Sequence, residues 1–145
     1  MHFITGGAFN GKRAWVKENY GVTGTWISAY QNHVLSADID HIQSNLLVLE
    51  GIEAWLKELT KTYDADSCRD IWNSTFSHWL NWEEAETNRN LVVIGTDITK
   101  GIVPMEKENR LWRDVTGWVY QDIGAKADKV DIIWYGLNQT IKNGG

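Results

Sequence analysis

Short apolar runs alternate with longer segments of helical periodicity along this chain. Residues 46–49 are apolar at every position, which is typical of a strand buried on both faces. In the next segment apolar side chains recur at three- and four-residue intervals, which predicts a helix with Ile52, Trp55, Leu56 and Leu59 on one side. The same reasoning predicts strands at residues 2–5, 23–28, 45–50, 91–95, 131–135 and 140–142, and helices at residues 13–19, 52–59, 66–86 and 105–129.

Strands that alternate with helices are typical of an α/β protein with a layered, mostly parallel sheet. With 145 residues, the chain is predicted to form one domain over residues 1–145. Ligands of such sheets bind beyond the carboxyl ends of the strands. A glycine-rich loop at residues 6–12, Glu50 and the pair Thr96-Asp97 all follow predicted strands. We therefore expect these features to meet at one edge of the sheet.

The loop after the first strand has the composition of a phosphate cradle. The spacing from Gly6 to Lys12 matches G-x-x-x-x-G-K. Glycines let backbone N–H groups point at a phosphate, and Lys12 adds a positive charge. The next residue is usually Ser or Thr, whose hydroxyl binds Mg²⁺, but here it is arginine. The predicted nucleotide-binding residues are Gly6, Gly7, Ala8, Phe9, Asn10, Gly11, Lys12 and Arg13.

Two acids are candidate ligands for Mg²⁺. Glu50 follows its strand as a Walker-B-type acid does, where a carboxylate holds the metal beside the phosphate loop. The alternative for Glu50 is a strand-end carboxylate that caps the next helix. Asp97 is a candidate for holding the metal or orienting a hydroxyl, whereas the alternative is a well-ordered turn, and the spacing does not decide between them. The predicted catalytic residues are Lys12, Glu50 and Asp97.

Composition narrows the range of partners. A net charge of −5 without a basic stretch argues against nucleic acid. No apolar run approaches the roughly 20 residues that span a bilayer, and the first residues do not resemble a secretion signal, so we expect a cytoplasmic protein.

His33 and His41 lie in a polar segment without a surrounding motif, which favours solvated loop histidines over a base or nucleophile. Most of the nine tryptophans are predicted to be core or subunit contacts.

These motifs resemble the adenosylcobinamide kinase/adenosylcobinamide-phosphate guanylyltransferase family of cobalamin biosynthesis. Residues 4–12 are similar to the family's opening, T-G-G-A-R-S-G-K-S, and residues 47–51 to its central L-L-E-C segment. Residues 101–104 match its G-I-V-P. Further matches follow at the family's spacing, at Arg110, Arg113, Asp114, Gly117, Gln121, Ala127, Asp128, Val130, Gly136 and Lys142.

The resemblance implies a RecA-like P-loop fold, a homotrimer and two reactions. One phosphorylates the aminopropanol hydroxyl of adenosylcobinamide with ATP or GTP. The other transfers GMP from GTP onto that phosphate through a guanylylated histidine. The implied cofactors are therefore ATP or GTP with Mg²⁺, and the implied partner is adenosylcobinamide.

This chain also departs from the family's pattern. Arg13 replaces a hydroxyl residue, Asn10 replaces a small serine, and Thr96-Asp97 replaces Asn-Glu. The chain is shorter between the second strand and Glu50, where the family has its nucleophilic histidine. We therefore expect the kinase reaction to be retained more readily than guanylyl transfer. The alternative is a non-catalytic paralogue that binds nucleotide or corrinoid.

Overall fold

A computed structural model describes residues 1–98 and 107–144. Its strands are β1 (His2–Gly6), β2 (Thr25–Ser28), β3 (Leu46–Glu50), β4 (Asn90–Thr96), β5 (Lys129–Trp134) and β6 (Leu137–Asn143). Its helices are α1 (Lys12–Tyr20), α2 (Ile52–Thr60), α3 (Ala65–Glu84) and α4 (Lys107–Lys126), and a 3₁₀ turn covers Ala29–Gln31.

The strands of the described residues form one sheet in the order β2-β3-β4-β1-β5-β6. Neighbours from β2 to β5 are parallel, and β6 pairs antiparallel with β5. β4 therefore lies between β1, which leads into the glycine loop, and β3, which ends in Glu50. Its register places Thr96 beside Gly6 and Ile94 beside Glu50, so the three carboxyl ends meet at one edge. This arrangement confirms the predicted α/β fold class of RecA-like P-loop type.

Helices cover both faces of the sheet, and tryptophan fills much of the larger core. α1 buries Trp15 and Val16 against Ile4, Val48, Val92 and Ile94 on one face. α2, α3 and α4 pack on the other face, where Trp72, Phe76 and Trp79 have no exposed surface. Five tryptophans belong to the core: Trp15, Trp55, Trp72, Trp79 and Trp82.

Several predicted boundaries shift in the structure. The last helix ends at Lys126 rather than at residue 129, because Lys129 and Val130 pair with β1 as part of β5. The last strand begins at Leu137 rather than at residue 140. A two-residue turn, Tyr135-Gly136, with φ of 51° and 78°, suits the twist of a hairpin and starts β6 at once. The G-I-V-P residues and the predicted helix start at residue 105 lie outside the described residues.

Gly95 fixes how the end of β4 meets α4. A Cβ atom at this position would lie 2.4 Å from the hydroxyl oxygen of Tyr120, which donates a hydrogen bond to the Thr96 carbonyl at 2.7 Å. We expect Gly95→Ala to lower the free energy of unfolding in urea by about 1–3 kcal/mol through overpacking. The control is Gly124→Ala on α4, where a Cβ meets no atom within 4 Å and should raise that free energy by about 0.5–1 kcal/mol. Equal losses in the two variants would contradict the packing argument.

Candidate functional site

The glycine loop is held closely against the strands behind it. Gly6 has a φ of 146°, and a Cβ there would lie 2.4 Å from the Ile133 carbonyl oxygen. The amide of Asp97 donates to the Gly6 carbonyl at 2.8 Å, and the amide of Gly136 donates to the Asn10 carbonyl at 2.9 Å. Gly11, with a φ of 88°, then starts α1. Glycine is required because both a close approach and a positive φ exclude side chains here.

Lys12 lies inside this loop. Its ammonium donates to the Gly7 carbonyl at 2.8 Å and approaches the Gly6 carbonyl at 3.4 Å, and the residue is only 8% exposed. Burial lowers the pKa of Lys12 from its ordinary value, whereas the charges of Glu53 and Glu50 raise it. A phosphate entering the loop would offer this ammonium charged acceptors instead of carbonyls, which makes stronger hydrogen bonds.

Arg13 and Glu50 form a two-bond ion pair. Nε of Arg13 donates to Oε2 of Glu50 at 3.0 Å, and Nη2 donates to Oε1. The Glu50 side chain is 5% exposed, whereas 41% of the Arg13 side chain is exposed. The hydrogen bonds to Glu50 raise the pKa of Arg13. The predicted phosphate-loop residue and the predicted Walker-B-type acid are thus bonded directly to each other.

Glu53 is a second buried carboxylate that the sequence reasoning missed. Oε1 accepts the Thr96 amide at 2.8 Å, and Oε2 accepts the Tyr30 hydroxyl. Burial, followed by the bond to Glu53, raises the pKa of Tyr30. Glu53 lies in the first turn of α2, three residues beyond Glu50, so its spacing was a usable signal. Tyr30 lies in a 3₁₀ turn within an aperiodic segment, and no local pattern pointed to it.

These side chains line one pocket of about 730 Å³, a size that suits a nucleotide-sized ligand. Its lining is Ala8, Phe9, Asn10, Gly11, Lys12, Arg13, Ala14, Tyr30, Glu50, Glu53, Ile94 and Thr96. Of the predicted residues, Gly6 and Gly7 lie behind it as acceptors of Lys12. Asp97 is not in the lining and reaches the loop through its backbone amide. The roles of all these residues stay predictions.

The candidate histidines lie away from this pocket. His33 and His41 are exposed, and neither belongs to the pocket lining among the described residues. Nδ1 of His33 accepts the Ser28 amide at 2.8 Å, which favours the tautomer with the proton on Nε2. His41 lies 3.9 Å from Asp38. The arrangement supports the solvated-loop interpretation of both residues.

The donor set of the pocket, as arranged, does not fit Mg²⁺. Both oxygens of Glu50 accept from Arg13, and both oxygens of Glu53 accept from Thr96 and Tyr30. Within residues 1–98 and 107–144, no three His, Cys, Asp or Glu side chains group in a way that could hold a metal. The prediction that Glu50 and Asp97 hold Mg²⁺ is untested and requires Glu50 to release Arg13.

A glycine loop with an inward lysine, at the carboxyl edge of a mostly parallel sheet, defines an α/β protein of the P-loop class. The model of the family described as cobinamide kinase / cobinamide phosphate guanyltransferase matches residues 23–141, and the chain belongs to that family. This family uses nucleoside triphosphates and acts on cobinamide in cobalamin biosynthesis. No curated protein matches the chain. The matched range begins after residues 6–12, so the assignment of these residues as a phosphate loop depends on their own spacing and geometry.

Proposed function

We propose that this chain transfers the terminal phosphoryl group of ATP or GTP to the aminopropanol hydroxyl of adenosylcobinamide. The observation that carries the proposal is the buried ammonium of Lys12 inside the glycine loop, facing a pocket of about 730 Å³. The family supplies the substrate class, and the position of the loop at the carboxyl edge of the sheet agrees with phosphate binding.

In the proposed reaction the substrate hydroxyl oxygen attacks the γ-phosphorus. The bond from this phosphorus to the β–γ bridging oxygen breaks, the nucleoside diphosphate leaves, and the hydroxyl proton is released. Lys12 and the loop amides neutralise charge on the transferred group, and Asp97, which is outside the pocket lining, holds the loop through the bond of its amide to the Gly6 carbonyl. Such reactions depend mostly on positioning and electrostatic stabilisation, and the hydrogen bond of Lys12 to the Gly7 carbonyl places its ammonium in the loop.

Guanylyl transfer is the second candidate reaction and has less support. It requires a nucleophilic histidine beside the nucleotide, and no histidine of the described residues lines this pocket. The alternative of a non-catalytic nucleotide- or corrinoid-binding paralogue is favoured by one contact, the Arg13–Glu50 pair, because it removes the expected metal ligand.

Turnover separates these candidates. The chain is incubated with adenosylcobinamide and ATP or GTP, with Mg²⁺ and with EDTA, and mass spectrometry follows the corrinoid. We expect a product that carries one added phosphate and no GMP. Lys12→Ala serves as the inactive control. Nucleotide binding without any phosphorylated corrinoid would support the non-catalytic alternative, and a GMP adduct would restore the second reaction.

The remaining assignments rest on the resemblance and the composition. The homotrimer and the cytoplasmic location are proposals, and nucleic acid is not a proposed partner. No helix in the described ranges is long and apolar enough to cross a bilayer.

A further inference from the structure

We infer that the guanidinium of Arg13 takes the place of the divalent cation in the phosphate site, so that the pocket binds a polyphosphate tail without Mg²⁺. This inference rests on the proposed nucleotide site and states how that site balances its charge. It is argued from the position of Arg13, the charges around it and the donors that it presents.

The position of Arg13 follows from the strand order. β4 separates β1 from β3, and neighbouring strands lie about 4.8 Å apart, so the strand that leads into the glycine loop and the strand that ends in Glu50 are roughly 10 Å apart. A serine side chain is too short to cross this gap, and in a P-loop a hydrated metal ion lies between the phosphates and the acid. Here the long side chain of Arg13 crosses the gap and bonds Glu50 directly.

The charges of the pocket show what Arg13 contributes. Glu50 and Glu53 are 4% and 6% exposed, and both line the pocket that Lys12 faces. Two buried carboxylates would repel a polyphosphate, and burying such a charge without a partner is costly. Arg13 neutralises Glu50 permanently, which is the electrostatic contribution that a bound cation would otherwise make.

Arg13 also has donors to spare. Two of its five N–H groups donate to Glu50, and the other three have no partner among the described residues. The Trp26 ring, 5.8 Å from the guanidinium carbon, helps to hold the side chain in place. Arg13 lines the same pocket as the glycine loop and 41% of its side chain is exposed, so the remaining donors are accessible to a phosphate bound there. A planar guanidinium that bonds a carboxylate along one edge can still bond phosphate oxygens along another.

Calorimetry on the intact chain tests the inference directly. Binding of inorganic tripolyphosphate, ATP and GTP is measured in EDTA and in Mg²⁺. We expect the wild-type affinity to differ by less than about threefold between the two conditions. Arg13→Ser should bind about tenfold or more weakly in EDTA, because charged hydrogen bonds are lost, and Mg²⁺ should restore its affinity. Arg13→Lys keeps the positive charge but loses the planar set of guanidinium donors. Its affinity in EDTA should lie between those of the wild type and Arg13→Ser.

A second readout follows the metal itself. Electron paramagnetic resonance of Mn²⁺ should show no protein-bound ion in the wild type, and a bound ion in Arg13→Ser, where Glu50 becomes available. Arg13→Ser/Glu50→Gln should lose that ion again. Circular dichroism reports whether Arg13→Ser is folded. If that variant unfolds, the double variant keeps the test valid, because it leaves no unpaired buried carboxylate.

The possible failures are distinguishable. A wild-type affinity that rises about tenfold or more with Mg²⁺ would overturn the inference and leave the proposed function intact. So would an Arg13→Ser variant that binds as tightly as the wild type in EDTA. A folded wild type that binds neither tripolyphosphate nor nucleotide in either condition would overturn the inference and the proposed function together.

Discussion

Lys12→Ala is expected to weaken ATP or GTP binding by about a hundredfold. The ammonium is buried inside the glycine loop, 2.8 Å from the Gly7 carbonyl, so a bound phosphate would meet it out of solvent. A hydrogen bond to a charged group is worth roughly 1.5–3 kcal/mol, and each 1.4 kcal/mol corresponds to a factor of ten in affinity. Calorimetric titration with ATP and with GTP measures the effect.

The matched control is Lys17→Ala. Lys17 lies on the same helix, and this substitution also removes one positive charge. The Lys17 side chain is exposed, however, and its ammonium lies over the Trp26 ring at 5.4 Å. We expect its affinity to stay within about twofold of the wild type, since exposed charges are largely screened. Equal losses in the two variants would mean that net charge, and not the loop, attracts the nucleotide.

Trp79→Ala is expected to lower the free energy of unfolding by about 3–5 kcal/mol. Trp79 has no exposed surface and packs edge-on against Trp72, with ring centroids 5.4 Å apart. Its indole N–H also donates to the Ser36 carbonyl at 2.9 Å, which attaches the aperiodic segment to the core. Because domains are stable by only about 5–15 kcal/mol, this loss is a large share of the total. Urea unfolding measures it.

A pair of phenylalanine variants separates packing from hydrogen bonding. Trp79→Phe keeps most of the apolar volume but leaves the Ser36 carbonyl without its donor. Trp72 is equally buried, yet its indole N–H has no partner among the described residues. We therefore expect Trp79→Phe to lower the free energy of unfolding by about 1 kcal/mol more than Trp72→Phe does. Indistinguishable losses would show that the indole hydrogen bond contributes nothing.

The tryptophans also support the site from behind. The indole of Trp112 donates to the Glu53 carbonyl at 2.8 Å, and the indole of Trp55 donates to the His33 carbonyl at 2.8 Å. Each ring packs on the core while its N–H holds backbone, at Glu53 of the pocket and at His33 of the segment after β2. Tryptophan suits both tasks because it combines a large apolar surface with one N–H donor.

Much of the site was predictable because its signals are local. The spacing from Gly6 to Lys12 and the acid after the buried strand both pointed to the same edge of the sheet, and the strand order confirms that they meet there. Glu53 was missed because it was counted as part of a helix pattern. Asp97 was predicted to belong to the pocket, but it is not part of the lining. The end of β4 contributes Thr96 instead.

By itself, the sequence determined what depends on neighbours along the chain. The apolar run at residues 46–49 specifies a buried strand, and the glycines of residues 6–12 specify a loop that a helix follows. The tertiary structure alone decided that Arg13 bonds Glu50, 37 residues away, and that Tyr30 and Glu53 close the same pocket. These contacts depend on which strands become neighbours. Packing of the whole core sets the strand order, and the local periodicity of the sequence does not specify it.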